Sequence, residues 1–354
     1  MNIDFNFYKN KKILITGHTG FKGSWLCLLL NKLGASVIGY ALAPEKNKES
    51  LFALANIDRK VDSHIADIRD YKKLDEVMQS SKPDIIFHLA AQPLVRDSYE
   101  NPIYNYETNI MGSVNLLEAS KGLESLKALV NITTDKCYEN KEWIWPYRED
   151  DALGGHDPYS ASKACSEIVT NSYKKSFFEK LNIGLASARA GNVIGGGDFS
   201  KDRIIPDIVR SIKNNQKVIL RNPNAVRPWQ HVLDVLYGYL LLGERLYKNP
   251  KEFSESFNFS PLENKEITVE EVAKKFISSI EKGSYEIDSS KANLHEATIL
   301  KLDSSKSFRK LNWTPKFRAI EAISETAFWY KEYLKGSDME ELCQAEIQKY
   351  INLK

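Results

Sequence analysis

Ile13-Leu14-Ile15-Thr16-Gly17-His18-Thr19-Gly20-Phe21-Lys22-Gly23 is the stretch that decides the fold. Three apolar residues of strand character run straight into three glycines spaced G-x-x-G-x-x-G. An apolar-rich segment, Trp25 to Leu33, follows and reads as a helix closed by Gly34. A strand, a glycine turn and a helix start in that order let the backbone approach a diphosphate closely. The free N–H groups and dipole of the helix start favour its charge. Gly17, Gly20 and Gly23, with Thr19 and Phe21 between them, are therefore expected to cradle a dinucleotide.

Outward from this loop the pattern repeats. Strands are expected at Ala35 to Tyr40, within Ile57 to Ala66, and at Asp84 to Ala90, Lys127 to Ile132 and Ile183 to Ala190. Helices are expected at Tyr71 to Gln79, Asn105 to Gly122 and Tyr159 to Phe178. Such alternation predicts an α/β fold: a Rossmann-like, doubly wound parallel sheet covered on both faces, with right-handed crossovers. After Ala190 the rhythm breaks into four glycines by Gly197, with Pro206, Pro223 and Pro228 beyond. The expected organisation is a dinucleotide-binding domain over 1–190 plus about 230–250. A second, smaller substrate-binding α/β domain is expected over 191–229 and 251–354. Ala319 to Leu353 reads as helix.

Composition narrows the function. The 354 residues carry a net charge of +2 with no basic block, which argues against nucleic acid as a partner. The four cysteines and six histidines show no metal-ligand spacing, so no metal is expected. No stretch is long and apolar enough for a membrane span, and Met1 to Asn10 lacks a signal-peptide core. The expectation is a cytoplasmic enzyme with reduced thiols.

Two short segments carry the chemistry. Tyr159 and Lys163 lie four apart, on one face of the expected helix. A phenol has a pKa of about 10, and a neighbouring ammonium favours its ionised form. The pair can take a proton from a sugar hydroxyl while hydride leaves. The bland alternative is a half-buried tyrosine beside a lysine that reaches solvent. Thr133-Thr134-Asp135-Lys136, at the end of the fifth strand, adds a hydroxyl, a carboxyl and an amine. That is more acid and base equipment than simple dehydrogenation requires.

The glycine spacing resembles the extended short-chain dehydrogenase/reductase superfamily, in its nucleotide-sugar branch. The 4,6-dehydratases of that branch carry Thr-Asp-Glu where Thr134, Asp135 and Lys136 stand; the CDP-glucose 4,6-dehydratase family carries lysine at the third position. Thr16 to Leu26, Asn131 to Tyr138, Trp143 to Glu149 and Arg227 to Val232 also look like that family. The resemblance implies NAD as cofactor and conversion of CDP-D-glucose to its 4-keto-6-deoxy derivative. Such a product feeds deoxysugar biosynthesis of the kind found in lipopolysaccharide O-antigen. It implies Tyr159 as base at O4, Thr134 as donor to O4, Asp135 as acid at O6 and Lys136 as base at C5. For Lys136 the alternative is a cation that only pairs with Asp135.

Further candidates follow from position. Asp67, Ile68, Leu89, Ala90, Ala91, Thr108 and Thr133 are expected beside the cofactor, with Tyr159 and Lys163. Gln92, Asn192, Arg203 and Arg227 are expected beside the nucleotide sugar. The second strand ends Gly39-Tyr40-Ala41-Leu42 with no acid for the adenosine ribose, so residue reading alone leaves NAD and NADP both open. Family analogy implies a homodimer through the Asn105 to Gly122 and Tyr159 to Phe178 helices, with a homotetramer as the alternative. The rival activities are a nucleotide-sugar 4-epimerase and a 4,6-dehydratase for another sugar nucleotide. A non-catalytic dinucleotide sensor is a third class, and the intact Tyr159 and Lys163 argue against it.

Overall fold

The computed structural model describes residues 4–46, 48–261, 267–288 and 299–353. Six strands build the first half: β1 (Lys12–Thr16), β2 (Ser36–Ala41), β3 (Asp62–Ile65), β4 (Ile85–His88), β5 (Ala128–Ile132) and β6 (Gly184–Ala190). Five more follow: β7 (Val193–Ile194), β8 (Val218–Leu220), β9 (Gln230–His231), β10 (Ser256–Phe259) and β11 (Tyr285–Ile287). Seven of them form one sheet in the order β10-β6-β5-β4-β1-β2-β3, every pair parallel.

The apolar strands are buried on both faces, which explains their near-continuous hydrophobic runs. Side chains alternate between two cores. Ile13, Ile15, Phe87 and Val130 enter the core shared with helices Phe21–Lys32 and Val232–Lys248. Leu14, Ile86 and Leu129 enter the opposite core with Leu74, Val77 and Leu116. The chain runs outward from β1 to β3 and then returns to β4 on the other side of β1. The crevice above β1 and β4 is thus the switch point where such sheets bind ligands.

Local signals set the helix starts. Asp70 caps Tyr71–Ser81 by accepting from the Lys73 amide. Asp157 caps Pro158–Tyr173 by accepting from the Ser160 amide, with Pro158 in the first turn. The short pairs β8–β11 and β7–β9 lie outside the large sheet. Helix Val269–Ile280 starts in a Thr268/Glu271 capping box and packs on Ala319–Lys335.

The third strand falls within the expected stretch, at Asp62–Ile65, after a 3₁₀ turn at Ile57–Arg59. Two expectations shift. The C-terminal segment is two helices, Ala319–Lys335 and Met339–Asn352, because Gly336 takes the left-handed conformation (φ 82°) and ends the first. Residues 256–259, assigned by sequence to the second domain, form the edge strand β10 of the large sheet, paired with β6. Residues 262–266 and 289–298 of that assignment lie outside the described residues.

Gly196 sits against the buried indole of Trp329, and a Cβ there would lie 2.0 Å from its Cγ. Gly196→Ala should therefore overpack this contact and lower the unfolding free energy by about 1–3 kcal/mol, measurable by urea denaturation.

Candidate active site

The glycine loop shapes the first cleft. Gly17 has φ 78°, donates its N–H to the Tyr40 carbonyl at 2.8 Å, and would place a Cβ 2.8 Å from the Ala90 nitrogen. A Cβ on Gly23 would lie 2.1 Å from the Gly17 oxygen. Only glycine fits either position. Helix Phe21–Lys32 starts directly after Gly20, with no acid in its first turn, so its dipole is left for an anion.

The cleft has a volume of about 260 Å³. Gly17, Thr19, Gly20, Phe21, Gly23, Asp67, Ile68, Leu89, Ala90, Ala91 and Thr108 all line it. The Thr108 hydroxyl is buried with no partner among the described residues, as a ligand-facing donor would be. Arg69 clamps the Asp67 carboxylate through Nε and Nη2 and holds it below the usual carboxylate range. At the end of β2, Leu42 lines the cleft where an acid was sought, and its carbonyl accepts from Thr19 at 2.9 Å.

The β4 end is pinned from behind. Thr16 Oγ1 contacts His88 Nδ1 at 2.7 Å and accepts from the Leu89 and Ala90 amides at 3.1 Å each. Asn109 accepts from the Gln92 amide at 2.8 Å and donates to Ser162 Oγ at 2.8 Å, tying this loop to the helix that bears Tyr159. Gln92 itself departs from expectation. Its side chain donates to the Leu94 carbonyl at 3.1 Å and lines neither cleft.

A second cleft of about 310 Å³ adjoins the first, and Phe21, Lys22 and Arg203 line both. Thr133, Thr134, Asp135, Lys136, Tyr159, Asn192, Arg203 and Arg227 all stand on its wall. Thr134 caps the 3₁₀ turn Asp135–Cys137 and donates to Asp135 Oδ1 at 2.9 Å. Asp135 Oδ2 is buried with no hydrogen-bond partner among the described residues. Burial pushes this carboxyl up, opposed by Lys136, Thr134 and Arg227.

Tyr159 departs from the simple expectation. Burial pushes its phenol up to about 12, and the strongest pulls the other way come from the Thr134 hydroxyl and the Arg203 guanidinium. Lys163 is 5% exposed and donates to the Ile132 carbonyl at 3.1 Å. Burial lowers its ammonium to about 8, resisted by Glu167. Lys163 lines neither cleft. Arg203 pairs with buried Asp198 at 2.9 Å, and Arg227 donates to the Val226 carbonyl at 2.8 Å.

Sequence reading missed the support beneath these groups. Glu167 follows Lys163 by one helical turn, a spacing that would have revealed it. Its carboxylate accepts from Thr133 Oγ1, from Ser187 Oγ at 2.6 Å and from Arg189 Nη2 at 2.8 Å. Arg189 also donates to the Tyr138 hydroxyl at 2.8 Å and the Glu149 carbonyl at 3.0 Å. Tyr138 in turn donates to Asn258 Oδ1 on β10 at 2.7 Å. Lys22 was also missed: it was read only as part of the glycine loop, yet its side chain reaches both clefts.

The profile of the family described as GDP-mannose 4,6 dehydratase matches residues 14–326. The chain is 49% identical to the CDP-glucose 4,6-dehydratase of Salmonella typhimurium, over 99% of both chains. Among solved structures, the epimerase Mth375 of Methanothermobacter thermautotrophicus superposes with a TM-score of 0.80 at 24% identity, covering 96% of each chain. The dTDP-glucose 4,6-dehydratase of Bacillus anthracis, in complex with NAD, superposes at 0.75 with 22% identity, over 94% of this chain and 99% of that one.

The Glu167–Arg189 pair has side chains only 2% and 3% exposed. Arg189→Met should cost about 3–5 kcal/mol of unfolding free energy, because it strands a buried carboxylate. Pairing it with Glu167→Gln should recover part of that loss in a double-mutant denaturation cycle.

Proposed function

This chain belongs to the GDP-mannose 4,6 dehydratase family, and on that premise we propose that it is an NAD-dependent nucleotide-sugar dehydratase that converts CDP-D-glucose to CDP-4-keto-6-deoxy-D-glucose. The observation that carries the reading is Asp135, a buried carboxyl with one unpartnered oxygen, on the same cleft wall as Tyr159 and Lys136. An epimerase acting at C4 has no use for an acid and an amine at this place.

The glycine cradle and the unpartnered Thr108 hydroxyl fit a dinucleotide. NAD, when bound, supplies the hydride acceptor for C4 and returns that hydride at C6. Tyr159 takes the proton from the C4 hydroxyl. Burial holds its phenol at about 12, so it needs cationic charge beside it: Arg203 already lowers it, and we assign the rest to Lys163, one helical turn on, and to the nicotinamide that a bound cofactor would supply. Thr134 donates to O4. The ketone so formed acidifies the C5 proton, which Lys136 accepts. Asp135, raised by burial, gives its proton to the C6 hydroxyl, and water leaves. Lys136 then returns its proton to C5 as hydride reaches C6. Tyr159 ends with one proton more and Asp135 with one fewer, and exchange with solvent resets both. Arg227, Arg203 and Asn192 hold the sugar nucleotide, Arg227 through a planar fork suited to diphosphate.

We assign the enzyme to the cytoplasm and to deoxysugar synthesis. In support, no helix among the described residues is long and apolar enough to cross a membrane. A homodimer, with a homotetramer as the alternative, is proposed through the Asn105 to Gly122 and Tyr159 to Phe178 stretches, which fold as the helices Pro102–Tyr106, Glu107–Met111 (a π-helix), Gly112–Ser120 and Pro158–Tyr173. Ile103, Met111 and Ile168 there are 75%, 50% and 57% exposed, an apolar surface suited to a second copy.

Purified protein given NAD and CDP-glucose should yield a product that absorbs in the near ultraviolet after alkali treatment. No such absorbance, or an unlabelled 4-epimer in deuterated water, would overturn the assignment. Tyr159→Phe should lower kcat at least about 100-fold while cofactor affinity persists. Asp135→Asn should slow dehydration by a similar factor, yet still allow reduced nicotinamide to accumulate on adding substrate, because oxidation at C4 precedes the step that needs the acid.

A further inference from the structure

We propose that Asp207 and Arg221 read the base of the sugar nucleotide, Asp207 by accepting from the 4-amino group of a cytosine and Arg221 by donating to its 2-carbonyl oxygen. The inference deepens the CDP-glucose reading above and rests on it.

The second cleft has two chemically different ends. One is shared with the dinucleotide cleft through Phe21, Lys22 and Arg203. Asp135 and Tyr159 lie within electrostatic reach of Lys22 and Arg203, so the hexose belongs at this end. Its diphosphate and nucleoside then extend along the remaining wall. That wall comes from helix Ile204–Lys213, the end of β8 and the start of Val269–Ile280, outside the large sheet. Pro206, Ile219, Leu220, Ala225 and Val269 give it apolar surface suited to the faces of a flat ring. Asp207 and Arg221 add two opposite charges to the same wall.

Both charges are held from behind. Asp207 stands in the first turn of its helix, and its Oδ1 accepts from Arg210 Nη2. Arg210 is itself fixed by donating to the Phe199 carbonyl at 2.9 Å and the Ser200 carbonyl at 3.0 Å. Asp207 Oδ2 accepts no hydrogen bond among the described residues. Arg221 donates through Nη1 to Asp202 Oδ1 at 2.8 Å, and the same Oδ1 meets Arg96 Nε at 3.5 Å. The Nε and Nη2 groups of Arg221 make no hydrogen bond among the described residues. Arg221 is near enough to favour the ionised Asp207 carboxyl. Yet the two form no ion pair among the described residues. An acceptor and a donor, each held in place, thus stand apart on one wall with bonding capacity to spare.

The chemistry of that gap selects a base. Along one edge, cytosine presents an amino donor at position 4 and a carbonyl acceptor at position 2. A carboxylate matches the first and a guanidinium the second. Uracil and thymine carry a carbonyl at position 4, which sets acceptor against acceptor in a partly dry pocket. Such a mismatch costs more than a missing bond. All three bases share the carbonyl at position 2. Asp207 therefore governs which base is taken, and Arg221 how tightly.

The test is calorimetric titration of the full-length protein with CDP, UDP and the diphosphate of pyrimidin-2-one riboside, which is CDP without its amino group. The unmodified protein should bind CDP at least about 30-fold more tightly than UDP, and about tenfold more tightly than the amino-free nucleotide. Asp207→Asn, whose amide both donates and accepts, should bring CDP and UDP to within about threefold of each other. Arg221→Met should weaken CDP and UDP alike, by about tenfold, and keep their ratio. The amino-free nucleotide needs no variant, so it decides the matter if a variant does not fold. Equal binding of CDP and UDP by the unmodified protein, equal binding of CDP and the amino-free nucleotide, or an undiminished preference in Asp207→Asn would overturn the proposal. A collapse of the ratio in Arg221→Met would overturn the division of roles. The expected preferences in a protein inert toward CDP-glucose would sink the dehydratase assignment alone, whereas turnover of CDP-glucose with an unchanged preference in Asp207→Asn would sink this inference alone.

Discussion

A single buried ion pair holds the reactive loop in place. Glu167 and Arg189 meet beneath the carboxyl ends of β5 and β6, with Thr133, Tyr138 and Ser187 bonded to them. Taking two charges out of water is costly, and only near-complete hydrogen bonding offsets it. Here the bonds reach into the Thr133–Glu149 segment, into the helix that bears Tyr159 and Lys163, and through Asn258 into β10. The pair therefore fixes where Thr134, Asp135 and Tyr159 stand relative to one another. Its value lies in geometry more than in net stability.

Desolvation then sets the protonation of what stands above it. It pushes Tyr159 and Asp135 up and Lys163 and Lys22 down, all toward their neutral forms. A neutral carboxyl is what an acid needs. A neutral phenol is what a base must cease to be. On the proposed reading, burial suits Asp135 to give a proton, while Tyr159 needs cationic charge beside it before it can take one.

The sheet was legible because its strands are uniformly apolar and its turns carry glycine at fixed offsets, both of which are local signals. The clefts were legible for the same reason: the glycine cradle, Thr108 and the Thr133–Lys136 row are contiguous or follow strand ends. Gln92 also follows a strand end, yet its amide donates to the Leu94 carbonyl and its side chain lines neither cleft. Arg189 was invisible, since an arginine inside Gly184–Ala190 is intelligible only once Glu167 is seen across from it. The edge strand Ser256–Phe259 was missed because its partner, β6, lies far away in sequence. Lys22 was overlooked because glycine patterns draw the eye to backbone, and the side chains between them go unread.

That edge strand has a bearing on how the molecule comes together. The polypeptide leaves the large sheet after β6, builds part of the wall of the second cleft, and comes back to lay down β10 before it departs again. The two halves expected from the sequence are thus woven through one another. Ribosomal synthesis must deliver more than two-thirds of the sequence before the final rung of the sheet exists, so the early portion waits with an open flank. Dividing the gene at the glycine-rich turn would yield fragments that each lack part of a shared hydrophobic interior.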